Sequence, residues 1–214
     1  MKHFYLLVAL LAFIGCRSTS APPIASSTPS ADQPLLVAVG DSLTEGLGVD
    51  PESAYPAQLE SRLREAGLNW KVINSGVSGE TSSGALSRLE WILKLEPDAV
   101  LLVTGANDGL RGLDPDLTRQ NLDTLVARLR EQKIKVMLGG MKAPPNLGAD
   151  YTEKFESVYP AVAEKHQVPL IPFFLEGVAR VPELNNEDGK HPNSEGYAVI
   201  VESILDPVKS WLSQ

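Results

Sequence analysis

Leu35-Leu36-Val37-Ala38-Val39-Gly40-Asp41-Ser42-Leu43-Thr44-Glu45-Gly46 joins an unbroken aliphatic run to a polar turn bounded by glycines. A strand buried on both faces reads as a continuous apolar run, not an alternating one, so Leu35–Val39 is predicted as a strand inside a parallel sheet. Four further β-rich runs follow at Lys71–Asn74, Ala99–Thr104, Lys135–Gly139 and Leu170–Phe173. Longer segments of helical period lie between them, and that alternation is the pattern of a doubly wound parallel sheet.

The helical segments carry their own punctuation. The first spaces Tyr55, Leu59, Leu63 and Ala66 on one face and stops at Gly67, a residue suited to the left-handed terminator. Asp114 is a candidate N-cap with Pro115 at the first helical position, followed by Leu122, Leu125, Val126 and Leu129 facing inward. A segment starting near Asp150 has Glu153 placed for a capping box and a kink predicted at Pro160. The last runs from about Ser194 to Leu212, with Tyr197, Ile200, Val201, Ile204 and Leu205 inward and Pro207 expected to disturb its final turns.

In an open α/β sheet, ligands bind outside the carboxyl ends of the strands, where strand order reverses. Three loops open on that edge: Gly40–Gly46, Ser75–Thr81 and Gly105–Gly109. Their glycines and polar residues allow close backbone approach to a ligand. A serine such as Ser42 at a strand-to-helix turn is equally suited to capping the helix. Of the three histidines, His3 belongs to the N-terminal apolar segment, and His166 falls where the fourth helix meets the last strand, at the far end of the sheet. His191 is left, three residues after Asp188 and beyond the last strand. That spacing lets the carboxylate fold back onto the imidazole and fix its tautomer. The alternative is that Asp188 and His191 only close a loop and cap the final helix.

Gly40-Asp41-Ser42-Leu43, Gly79, Gly105-x-Asn107-Asp108 and Asp188-x-x-His191, in this order and spacing, resemble the four sequence blocks of the SGNH (GDSL) hydrolases. Asn107-Asp108-Gly109-Leu110-Arg111-Gly112 is most similar to the branch of bacterial arylesterases and multifunctional thioesterase/lysophospholipases. The resemblance covers nearly all of residues 35 to 210. It implies a flavodoxin-like three-layer α/β/α sandwich with a five-stranded parallel sheet. It also implies a serine acyl hydrolase in which Ser42 is the nucleophile, His191 the base and later acid, and Asp188 its orienting partner. The oxyanion hole would be the backbone N–H groups of Ser42 and Gly79 with the Asn107 amide. Asp41 and Asp108 would support loops by hydrogen bonding.

Leu110, Met141 and Leu147 are candidate substrate-binding residues, because the loop Gly140–Gly148 and the Leu110–Leu113 segment share the catalytic edge and could wall an acyl chain. Short- to medium-chain esters are the expected substrates. A carbohydrate O-acetylesterase of the cell envelope is the alternative enzyme, and a non-catalytic envelope lipoprotein the alternative outside enzymes. The second of these should lack a triad or oxyanion residue, and none is missing.

The formal net charge of −8 leaves no basic field for a polyanion, so nucleic acid is not an expected partner. The chain carries one cysteine, no metal-ligand spacing, no phosphate-binding loop and no dinucleotide fingerprint, so neither metal nor cofactor is expected. No obligate protein partner is evident. Lys2, the apolar run Phe4–Ile14 and Gly15 read as an export signal over residues 1–15, too short to span a bilayer. Phe13-Ile14-Gly15-Cys16 resembles a bacterial lipobox, with Phe13 where that pattern usually has Leu, and implies lipidation at Cys16 and a membrane anchor. Ordinary cleavage a few residues later is the alternative. Residues 16–33 are expected to form a tether; the seventeen from Arg17 to Gln33, rich in Ser, Thr, Ala and Pro, reach roughly 20–25 Å as flexible coil. Residues 34–214 are then the hydrolase domain, held outside the cytoplasm. Arg17 is not the aspartate associated with inner-membrane retention, which favours the outer membrane in a Gram-negative host.

Overall fold

The computed structural model describes Met1 and residues 33–214. The expected signal beyond Met1, Cys16 and the tether up to Asp32 lie outside the described residues. Five parallel strands, β1 (Leu35–Gly40), β2 (Lys71–Gly76), β3 (Ala99–Val103), β4 (Lys135–Gly139) and β5 (Leu170–Ile171), form one sheet in the order β2-β1-β3-β4-β5. Nine α-helices accompany them among the described residues: α1 (Ser42–Glu45), α2 (Tyr55–Glu65), α3 (Ser82–Ser87), α4 (Leu89–Leu93), α5 (Ala106–Leu110), α6 (Pro115–Glu131), α7 (Ala149–Glu156), α8 (Val158–His166) and α9 (Ser194–Leu212). The chain leaves β1 toward β2 on one side and returns past β1 to β3 on the other. With right-handed crossovers this puts α2 on one face of the sheet and the helices of the three later crossovers on the other. Accordingly α2 packs on α9, while α6 lies against α3 and α8. The expected three-layer α/β/α sandwich is the observed architecture.

The central strands are apolar because both faces are covered: every residue of β3 and all but the first of β1 and β4 are buried. Register brings Gly40 level with Gly76 and with Val103, so the loops after β1, β2 and β3 leave the sheet at one edge. The switch in strand order between β1 and β3 opens the crevice there.

Several local expectations are corrected. β5 ends at Ile171 because Pro172 has no N–H for the ladder, although Gly140 N–H still donates to the Ile171 carbonyl (2.8 Å) and Phe174 N–H to that of Gly140 (2.9 Å). Helix α2 buries Tyr55, Leu59 and Leu63, but Ala66 is its exposed C-cap. No capping box forms at Glu153, since Gly148, without a side chain, stands at the N-cap of α7. The segment expected to kink at Pro160 divides into α7 and α8 at Ser157, whose backbone keeps helical angles, and Pro160 is third in α8, where a missing N–H is tolerated. Helix α9 runs unbroken through Pro207, which lies on the exposed face where water can satisfy the carbonyl it leaves unpaired.

Candidate active site

Ser42 stands at the first position of α1, at the carboxyl end of β1. The cap of that helix is Asp41: its carboxylate accepts from Leu43 N–H at 3.0 Å. The alternative in which Ser42 caps the helix is therefore overturned. The Ser42 side chain turns instead to His191, whose Nε2 lies 2.9 Å from Ser42 Oγ. Nδ1 of His191 is 2.5 Å from Asp188 Oδ2. An ionised carboxylate only accepts, so Nδ1 carries the proton, and the Ser42 hydroxyl donates to Nε2. The second oxygen of Asp188 accepts from the backbone N–H groups of Lys190 (2.9 Å) and His191 (3.0 Å). These bonds, with that from the His191 ring foremost, hold the Asp188 carboxyl well below the usual carboxylate range. The final helix is capped by Asn193, which accepts from Gly196 N–H at 2.9 Å, so Asp188 and His191 have no capping duty.

Asn107, in α5, reaches the same place from β3. Its amide donates to the Glu80 carbonyl at 3.0 Å and to Asp41 Oδ2 at 3.3 Å. The chain enters α5 through Gly105 at φ +101°, where a Cβ would lie 2.5 Å from the Tyr159 hydroxyl oxygen. Gly79 has φ +77°, and the nearest atom to a Cβ there would be Arg111 Nη2 at 3.7 Å. Backbone conformation, not lack of room, is what glycine supplies at this position. Arg111 donates to the Gly79 carbonyl at 2.7 Å and so fixes the plane of the neighbouring peptide. Neither Ser42 N–H nor Gly79 N–H has an acceptor among the described residues.

Burial raises the Asp41 carboxyl to about 6, against the lowering effect of its bonds to Leu43 and Asn107. Asp108 is fully buried and accepts from Ser82 N–H (2.8 Å), the Ser82 hydroxyl and Thr118 Oγ1 (3.1 Å). It thereby ties α5 to α3 and α6. Two supports escaped the sequence. The guanidinium of Arg88 forks onto both oxygens of Glu80 at 2.7 Å and also donates to Ser75 Oγ, the Ser75 carbonyl and the Gly40 carbonyl. Glu45 accepts from the backbone and hydroxyl of Ser78, clamping the loop that carries Gly79. Neither pair has a helical or strand period, so nothing in the sequence marked it. His166 lies elsewhere, at the end of α8, with Nε2 2.8 Å from Asp123.

A cavity of about 1000 Å³ opens over Ser42, Gly79, Asn107 and His191. Leu110 and Met141 line it, with Ala143, Pro144, Phe173 and Leu175. Leu147 does not line it, nor does Leu113. The Pro145–Leu147 turn sends the Leu147 side chain toward Gly112, where a Cβ would meet it at 3.7 Å. Among the described residues, no group of three or more His, Cys, Asp or Glu is arranged to hold a metal ion.

A serine, a histidine and an aspartate in hydrogen-bonded series, beside unpartnered backbone donors, is an arrangement for acyl transfer. Residues 38–199 match the GDSL-like Lipase/Acylhydrolase family, and the chain belongs to it. It is similar to Esterase TesA of Pseudomonas aeruginosa, 41% identical over 184 residues, covering 86% of this chain and 91% of that one. It is also similar to an arylesterase of Vibrio mimicus, 39% identical over 180 residues, covering 84% and 90%. The psychrotrophic esterase EstA of a Pseudoalteromonas species, inhibited by monoethylphosphonate, superposes with a TM-score of 0.80 at 32% identity over 84% of this chain and 99% of that one. The chain is an ester hydrolase of this family.

Proposed function

We propose that the chain cleaves carboxylic esters through a covalent acyl-enzyme on Ser42. His191 Nε2 takes the hydroxyl proton as Oγ bonds to the ester carbonyl carbon, and Asp188 holds the imidazole in the tautomer that can accept it. The carbonyl oxygen becomes an oxyanion within reach of Ser42 N–H, Gly79 N–H and the Asn107 amide. The Asn107 bond to Asp41, the longer of its two, is the one an oxyanion would supplant. Collapse breaks the bond to the alcohol, which leaves with the proton from His191. Water then repeats the sequence, and the acid departs. The observation that carries this reading is the series Ser42–His191–Asp188, at 2.9 and 2.5 Å, on the wall of the cavity.

The apolar lining by Leu110 and Met141 supports an acyl group longer than acetyl, of short to medium length. Upstream, residues 1–15 are an export signal, Cys16 a lipidation site and residues 16–33 a tether carrying the domain 34–214 at a membrane outside the cytoplasm. The test is turnover of p-nitrophenyl acetate, octanoate and palmitate by the protein and its Ser42→Ala form. Octanoate should be preferred, and Ser42→Ala should lose at least about a thousandfold in kcat. Activity confined to the acetyl ester would point to a carbohydrate O-acetylesterase, and an unimpaired Ser42→Ala form would end the proposal.

A further inference from the structure

The 2.9 Å contact between Ser42 Oγ and His191 Nε2 joins segments 149 residues apart. A second connection runs beside it through Asn186. The Ser42 carbonyl accepts from Gly46 N–H (3.0 Å) and Leu47 N–H (3.1 Å), so Leu47 is fixed to the peptide that carries the nucleophile. Asn186 Nδ2, with two hydrogens to give, donates to the Leu47 carbonyl at 3.4 Å and to the Pro192 carbonyl at 3.2 Å. Its backbone N–H donates to the His191 carbonyl at 2.8 Å. One residue therefore bonds the backbone behind Ser42 to the backbone of His191. Gly48 permits the approach: at φ +89°, a Cβ there would lie 2.6 Å from Asn186 Nδ2.

The loop that carries the base holds together as a unit, because Gly189 N–H donates to the Asn186 carbonyl (2.9 Å) and Asp188 accepts from Lys190 and His191 N–H. Asn185 Nδ2 fastens it to the Val178 (2.8 Å) and Val181 (2.7 Å) carbonyls, on the same connection between β5 and α9. Between residues 41–48 and 185–193, the hydrogen bonds among the described residues are those from Asn186 to Leu47 and between Ser42 and His191. The second cannot last through the reaction. Once Oγ is acylated it has no proton to donate, and the ester oxygen and the neutral Nε2 are both acceptors. Nothing then draws Nε2 to Oγ, yet Nε2 must stay within reach of the water that attacks the acyl carbon. The Asn186 bond involves neither reacting atom and survives acylation. We infer that Asn186 is a positioning residue for the second half of the reaction, keeping His191 in register with Ser42 while the acyl-enzyme awaits water. This inference rests on the assignment of Ser42 and His191 above.

Burst kinetics with p-nitrophenyl butyrate test it. In Asn186→Ala, hydrolysis of the acyl-enzyme should slow about ten- to a hundredfold, while acylation slows by less than about threefold. Then kcat falls, KM falls with it, and about one equivalent of p-nitrophenolate per enzyme is released in a burst before the steady state. Asn186→Leu, of similar shape but without the donor, should behave alike, and carries the test should the alanine form not fold. Asn186→Gln, which keeps an amide donor, should recover most of the rate. In a His191→Ala background, Asn186→Ala should change the residual rate by less than about twofold, because its effect passes through the imidazole. A purely structural role would lower kcat and kcat/KM together, in both backgrounds. That result, or an Asn186→Ala enzyme with unaltered kcat, overturns the inference and leaves the triad standing. A His191→Ala form as fast as the wild type would overturn the triad itself, and this inference with it.

Discussion

The carboxylate of Asp41 accepts from Leu43 N–H, and by doing so it caps the turn in which Ser42 stands. One residue satisfies the helix end so that the next can face His191 with a free hydroxyl. The same carboxylate accepts from Asn107 at 3.3 Å, so it also joins the loop after β1 to the loop after β3. Burial sets the terms of this arrangement.

Because burial raises Asp41 from 3.8 to about 6, the folded protein binds that proton more tightly than the unfolded chain does. Stability from this group is therefore full below about pH 4 and is lost as pH rises through 6. Asp188, held low, acts only below 3.8 and does not enter this window. Asp41→Asn should gain about 1–3 kcal/mol on the wild type between pH 4 and pH 7, read from urea unfolding at both values. A difference that stays flat across the window would show that Asp41 ionises normally.

Arg88 and Glu80 form a pair whose side chains are 17% and 7% exposed. Arg88→Met leaves a buried carboxylate without its partner and should cost about 3–5 kcal/mol in unfolding free energy. Adding Glu80→Gln should recover most of that loss. If the double variant is no more stable than the single one, the guanidinium contacts to Ser75 and Gly40 dominate, not the ion pair.

Removing the Asn107 amide should strike the rate more than binding. Asn107→Ala is predicted to lower kcat about a hundred- to a thousandfold with KM little changed. Arg111→Ala, which only frees the Gly79 peptide, should lower kcat about tenfold. Effects confined to KM would remove both residues from oxyanion stabilisation.

Leu110 is half exposed on the cavity wall, whereas Leu147 lies outside it. Leu110→Ala should lower the octanoate-to-acetate ratio of kcat/KM about fivefold, the equivalent of roughly 1 kcal/mol of partly buried side chain. Leu147→Ala should leave the ratio where it is. The reverse pattern would return Leu147 to the acyl site.

The sheet, and the meeting of Ser42, His191 and Asp188 at its edge, were legible for physical reasons. Fully buried strands such as Ala99–Val103 leave continuous apolar runs, and strand ends in a parallel sheet put their loops on one edge whatever the helices do. His191 stood out by its place beyond the last strand and its spacing from Asp188. Contacts that depend on how a turn closes were not legible. Asp41 and Ser42 are both good capping residues, and only the backbone decides between them. Leu147 reads as an apolar wall residue until the Pro145–Leu147 turn is seen to point it at Gly112. The fork of Arg88 onto Glu80 joins a loop to the turn between α3 and α4, so no period in the sequence reveals it.

Covalent labelling tests the assignment of Ser42 most directly. The folded protein should react with a fluorophosphonate, and peptide mapping should place the phosphonyl group on Ser42. His191→Ala should abolish the labelling, and His166→Ala, at the far end of the sheet, should retain it. Label on another residue, or a folded protein that takes up none, would contradict the assignment.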